Sequence, residues 1–174
     1  MSANLTNTKN TLNKFAKFVI QQSRSRLSKN KKNVSSTLYD SLDYDLKVMP
    51  NSFSLGFIME EYGAFVDKGV SGIKMKYNTP YSYTNKKPPM QPLADWAKAK
   101  RIRLRDEKGR YKKGNYRSIG FILQRSIYEK GIKPSLFFTK PFEQAFKKLP
   151  DDLIKNFGLD LDNFLDFTDR KSVV

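Results

Sequence analysis

The sequence contains no cysteine and no histidine. The first absence removes disulfides, thiolate zinc sites and cysteine nucleophiles, and it fits a reducing compartment. The second removes the usual general base near neutral pH and the commonest transition-metal ligand. Serine–histidine and cysteine–histidine catalysis are therefore excluded. A lysine base or a carboxylate-bound magnesium ion is what remains for an enzyme. No stretch reaches the roughly 18 apolar residues that span a bilayer, and the N-terminus lacks the apolar segment of a signal peptide. Acids are missing from the first 35 residues, which hold eight Lys and Arg.

The charge that is present is unevenly spread. The net +16 of the 174 residues divides into +8 over 1–35, −5 over 36–67, +16 over 68–148, −4 over 149–167 and +1 over the last seven. Such a layout gives two signs of surface, one suited to nucleic acid or an acidic protein and one suited to basic neighbours, copies of the chain included. Thirteen Phe and nine Tyr supply a modest core, and the length fits one domain.

Periodicity predicts the elements. Leu12, Phe15, Val19 and Leu27, widened by Ala16, Ile20 and Ser23, predict an amphipathic helix from Thr8 to Ser28. Leu42, Tyr44, Leu46 and Val48 alternate with polar residues, as do Phe53, Leu55, Phe57 and Met59. With Pro50-Asn51 between them, they predict an antiparallel hairpin with one buried face. Tyr62, Phe65 and Val66 suit one helical turn, and Gly69 suits its left-handed end. Residues 73–92 have no clean period and predict an extended excursion. A short helix follows from Leu93 to Lys100, with Pro92 in its first turn. Tyr116–Lys130 is helical, with Ile119, Ile122, Leu123, Ser126 and Ile127 on one side and Gly131 at its end. Thr139 caps a last helix bearing Phe142, Ala145, Phe146 and Leu149. Beyond Pro150, the residues predicted to bury are Leu153, Ile154, Phe157, Phe164 and Leu165.

Two clusters carry chemistry. Residues 98–117 hold ten bases against two acids, with Arg101, Arg103 and Arg105 alternating with Ile102 and Leu104. Asp106–Gly109 is a turn, so the segment is a basic hairpin or extended arm. Glu60, Glu61, Asp67 and Lys68 are the only candidates for a metal-dependent nuclease centre, but adjacent acids on a strand point to opposite sides. "DEKG" at 106–109 lacks the nuclease spacing. The structural reading of the "EEYGAFVDKGVSG" corner is therefore preferred, and no catalytic residue, cofactor or metal is assigned.

The order of these segments resembles the tail-completion, or head–tail joining, proteins of tailed bacteriophages, also described as neck or minor capsid proteins. There an N-terminal helix precedes a small-residue segment, matched by "SSTLYDSL" with Leu38 and Ser41. A hairpin and a corner follow, matched by Tyr62, Phe65, Asp67 and Gly69. A helix introduced by an aromatic and a proline comes last, matched by Phe138, Pro141 and Phe142. Trp96–Lys98 and Arg125–Pro134 are similar to segments of phage neck proteins, and the resemblance points to a crAss-like podovirus as the source. Val70 and Thr37 depart from the family's threonine and glycine at those places.

The resemblance covers about residues 10–72 and 131–157. It implies a single α+β domain in which a small hairpin-based antiparallel sheet packs against an N-terminal and a C-terminal helix. Its core is approximately 8–72 and 131–157, with a long basic insertion at 73–130 and an acidic, apolar C-terminal tail at 158–174. It also implies a virion location at the head–tail interface and six- or twelvefold rings of identical subunits. Portal or adaptor and tail proteins are the neighbours, and DNA passes through the lumen without sequence readout. No membrane or small-molecule partner is implied. Sliding DNA needs phosphate contacts. Lys100, Arg101, Arg103, Arg105, Lys108, Arg110, Lys112 and Lys113 are accordingly expected to face DNA or an acidic partner ring. Tyr62, Phe65, Asp67, Gly69, Trp96 and Tyr116 are expected at subunit interfaces or as anchors of the arm. The competing reading is a standalone basic nucleic-acid-binding protein, with Tyr83, Tyr111 and Tyr116 among the bases.

Overall fold

Helix α1, Thr6–Lys29, buries the face that the apolar spacing marks: Leu12, Phe15, Ala16, Val19, Ile20, Ser23 and Leu27, joined by Thr8. In this computed structural model the described residues are 5–30, 36–49, 52–112 and 114–172, the side chains of 164 and 166–172 excepted. The chain is α+β and divides into two compact units. The first unit comprises Met1–Lys29, Thr37–Glu60 and Phe137–Val174, and the second comprises Asn30–Ser36 and Glu61–Leu136.

In the first unit, α2 (Thr37–Ser41) leads into an antiparallel hairpin of β1 (Asp43–Met49) and β2 (Ser52–Ile58). Its register runs from Asp43 opposite Ile58 to Met49 opposite Ser52. The Pro50-Asn51 turn lies outside the described residues. Leu12, Phe15 and Val19 of α1 meet Leu149, and the hairpin lays Leu46, Phe53, Leu55 and Phe57 against them. Phe138, Phe142 and Ala145 close the core from α6 (Thr139–Phe146) and the residue before it. The rings of Phe15, Phe57, Phe138 and Phe142 meet mostly edge to face, at 5.2–6.1 Å between centroids, a geometry that their quadrupoles favour. Arg24 pins α2 to α1, donating to the carbonyls of Tyr39 and Leu42 and lying over the Tyr39 ring.

Helix α7, Leu149–Ser172, starts with Pro150 in its first turn, where the missing N–H has no helical partner to lose. Its buried Asp160 caps α1: Asn7 N–H donates to Oδ1, and both Thr8 N–H and Thr8 Oγ1 donate to Oδ2, at 2.8–2.9 Å. Burial opposes the charge of Asp160, but the bonds from Thr8 and Asn7 outweigh it and hold the carboxyl below its ordinary value. A carboxylate with a depressed folded value stabilises above its unfolded value, here near 3.8, and loses that contribution as pH falls through the folded one. Asp160→Ala is therefore expected to cost about 1 kcal/mol at pH 7. In urea titrations that cost should shrink as pH falls below the ordinary carboxylate range.

The second unit is built around α4 (Met90–Ala99) and α5 (Tyr116–Lys130). Small residues let them approach: Ala94, Ala97 and Gly120 are buried, and a methyl on Gly120 would come within 2.9 Å of Ala94 Cβ. The corner supplies α3 (Gly63–Lys68) and the two-residue β3 (Val70–Ser71), which pairs antiparallel with β4 (Gly131–Ile132). Ser135 and Leu136 N–H groups donate to the Asp67 carbonyl, and Ser135 Oγ donates to the Val66 carbonyl. The irregular 73–89 stretch is tied down as well. Tyr83 N–H and Tyr81 C=O bond to Ser71, Tyr128 Oη donates to the Thr84 carbonyl, and Gln124 donates to that of Pro88.

Several expectations change. The division into compact units falls at 60 and 136, where the expected core ended at 72 and resumed at 131. Pairing of β3 with β4 and the bonds from 135–136 to α3 place the corner with 73–130, so 61–136 fold together. Thr139 opens α6 rather than capping it, with Phe138 at the N-cap position. The helix of the second half runs to Ser172, through the expected tail. Val48, Ile122, Phe146, Ile154, Phe157 and Leu165, expected inside, are exposed, because among the described residues no element covers their faces. Phe164 lies outside the described side chains.

Candidate functional site

The basic segment folds as a small hairpin at the end of α4. Lys100 is the C-cap of that helix, Arg101 takes the left-handed conformation (φ 53°), and Arg101 and Ile102 N–H groups donate back to the carbonyls of Lys98 and Ala97. That is the two-bond stop usually made by glycine. Arg105 and Tyr111 then form an antiparallel bridge, with Lys112 N–H on the Leu104 carbonyl and Asp106 N–H on that of Arg110. Asp106 organises the turn, accepting from Lys108 N–H, Arg110 N–H and Arg110 Nε, and Gly109 supplies φ 77°.

The side chains on this frame are partly fixed. Exposed Tyr111 has the guanidinium of Arg105 4.6 Å and that of Arg103 5.5 Å from its ring centre. Arg105 also donates to the Gly109 carbonyl and to Tyr111 Oη. Arg110 is paired with Asp106 at 3.2 Å in an exposed setting, so part of its charge is met within the turn. Ile102, Leu104 and Tyr116 face one small cavity with Ile119, which seats the hairpin on α5. The hairpin thus brings together Arg103, Arg105, Lys108, Arg110 and Lys112, with Arg101 and Lys100 at its root. Lys113 lies outside the described residues. Because a non-glycine residue at φ 53° costs about 1 kcal/mol or more, Arg101→Gly is expected to raise stability by up to about 1 kcal/mol. Thermal or urea unfolding of the variant measures it.

A second feature was not legible as one site. Tyr62, Phe65 and Trp96 converge on an open groove of about 1160 Å³ with Val66, Val70, Pro80, Tyr81, Tyr83, Leu93, Leu123, Ile127 and Ile132, and no charged side chain lines it. The Phe65 ring meets Tyr81 edge to face at 4.6 Å. Burial raises the Tyr83 hydroxyl above its ordinary value. Trp96 lines this groove, and Tyr116 lines the small cavity beside Ile102 and Leu104 of the hairpin. Asp67 and Gly69, expected at a subunit interface or as anchors of the arm, are buried within the corner. Pro80, Tyr81 and Pro92 come from segments without a periodic signal, so only folding could join them to Phe65 and Trp96.

Glu60 and Glu61 are exposed while Asp67 is buried, and among the described residues no group of three or more acids gathers to hold a metal ion. No described helix is long and apolar enough to cross a membrane. No family model, curated protein or solved structure matches the chain.

Proposed function

We propose that this chain is a structural virion protein of a tailed phage, a subunit of a ring in the head–tail connector that joins portal or adaptor to tail and lines the DNA passage. The observation that carries the reading is the turn-ordered basic hairpin, where Arg103 and Arg105 lie over the exposed Tyr111 ring and Lys108 and Lys112 share the frame. Bases on an extended frame suit phosphate contact without base readout. The ring and its place in the particle come from the resemblance in motif order. The hairpin also suits an acidic neighbouring ring.

Removing 101–115 is expected to leave the first unit folded and to block joining of tails to filled heads, scored as unjoined heads and tails by electron microscopy. Unfolding of the first unit by that deletion would instead make the hairpin part of the core. Tyr111 among arginines also favours a second reading, a standalone nucleic-acid binder, since a base stacks on an exposed ring. Salt separates them. A dedicated binder holds DNA near physiological ionic strength, whereas an unassembled connector subunit, with a handful of phosphate contacts, releases it.

A further inference from the structure

Two apolar surfaces of this chain are exposed, and the segments that carry them have net charges of opposite sign. On α7 the exposed residues Ile154, Phe157, Leu161 and Leu165 recur at spacings of three and four, which aligns them in one stripe along the helix. The helix faces α1 with other residues, Leu149 and Asp160, so the stripe is not its inner side. Exposed Asp151 and Asp162 fall three residues from Ile154 and Leu165 and flank it. Over 149–167 the chain holds five acids and one base. The groove of the second unit is the converse. It is lined by aromatic and aliphatic side chains without a charge, and the unit that carries it, 61–136, holds 18 Lys and Arg against six Asp and Glu.

We propose that the α7 stripe of one copy docks into the Tyr62–Phe65–Trp96 groove of a second copy. The proposal deepens the ring reading and rests on it, because it names the contact by which copies join. The groove is open and larger than the roughly 300–1,000 Å³ of small-ligand pockets, and it suits the side chains of a helix laid along it. Acids beside the stripe meet a unit of opposite net charge, which favours this pairing and opposes stripe-to-stripe and groove-to-groove pairing. A contact between two different surfaces leaves each copy with one of each free. It therefore propagates head to tail and closes into a ring when the rotation permits.

The test uses the full chain. Leu161→Asp removes the stripe and leaves the groove, and Trp96→Asp does the reverse. Each variant alone is expected to lose self-association by roughly tenfold or more relative to wild type in sedimentation velocity, since each buries a charge in an apolar contact. Mixed in equal amounts, the two should form a complex of two copies and grow no further, because one intact stripe and one intact groove remain. Both sites being exposed, circular dichroism should report unchanged folding. As a check independent of those variants, single cysteines at Leu165 and Leu93 in this cysteine-free chain should cross-link between differently tagged copies when mixed. Monomers in the mixture and no cross-link at hundreds of micromolar would overturn the proposal. Oligomers that persist in both variants would also overturn it, placing the contact elsewhere while leaving the ring reading intact. The ring reading itself fails on a separate observation, the lack of this chain from purified particles.

Discussion

Phe15→Ala is expected to destabilise the first unit by about 3–5 kcal/mol, the largest effect of any single truncation in α1. Phe15 is 8% exposed and sits where α1, the hairpin and α6 meet, with Phe57 at 6.1 Å and Phe142 at 5.7 Å. Truncation loses the transfer free energy of the ring and leaves a cavity. The hole is bounded by other rings and by Leu12, Val19 and Leu149, which cannot close in without leaving their own rotamers. Phe15→Leu keeps most of the volume and is expected to cost about 1–2 kcal/mol. Urea midpoints with unchanged slope measure both. A loss below about 1 kcal/mol for the alanine variant would mean that α1 does not anchor this core.

Gly69→Ala is expected to destabilise the second unit by about 3 kcal/mol. Two causes add. The backbone there has φ 73° and ψ −178°, a combination essentially confined to glycine, and a methyl would lie 2.5 Å from the Ile132 carbonyl oxygen and 2.6 Å from Pro134 N. Those are backbone atoms fixed by the β3–β4 pairing, so they cannot swing aside as a flexible side chain would. Gly109→Ala tests a positive φ without the clash. It has φ 77° and open space around the added methyl, and its cost should stay near 1 kcal/mol. Hydrogen exchange reads the difference locally. Protection at Ser71, Ile132 and along α5 should fall sharply in the Gly69 variant and hold in the Gly109 variant.

What could be read in the sequence follows from local physics. The buried face of α1, the hairpin pairing and the extent of α5 are periodic signals. Gly69 and Gly131 end α3 and α5 at positive φ, a backbone that only glycine takes without penalty. What could not be read depends on partners distant in the chain. Asp160 caps α1 from more than 150 residues away, a bond that no local pattern announces. Arg101 and Leu136 adopt positive φ without being glycine, so composition gave no warning. The β3–β4 pairing is two residues long, too short for any alternation, and it moves the corner into the second unit. The stripe of α7 was legible as apolar, but periodicity says which residues share a face and not whether a neighbour covers it. Ile154 is 73% exposed for that reason. Of the proposed contact residues, the basic cluster was visible as charge. The groove was not, because its lining comes from six separate stretches of chain.

The assertion beneath the proposed function is that this polypeptide works as a built-in part of a particle. Electron-microscopy reconstruction of purified particles from its source, with density fitted for 61–136, tests it most directly. The expected result is several symmetry-related copies at the junction of head and tail, the basic hairpin toward the lumen or an acidic ring. Particles complete in head and tail that contain no copy of this chain would contradict it.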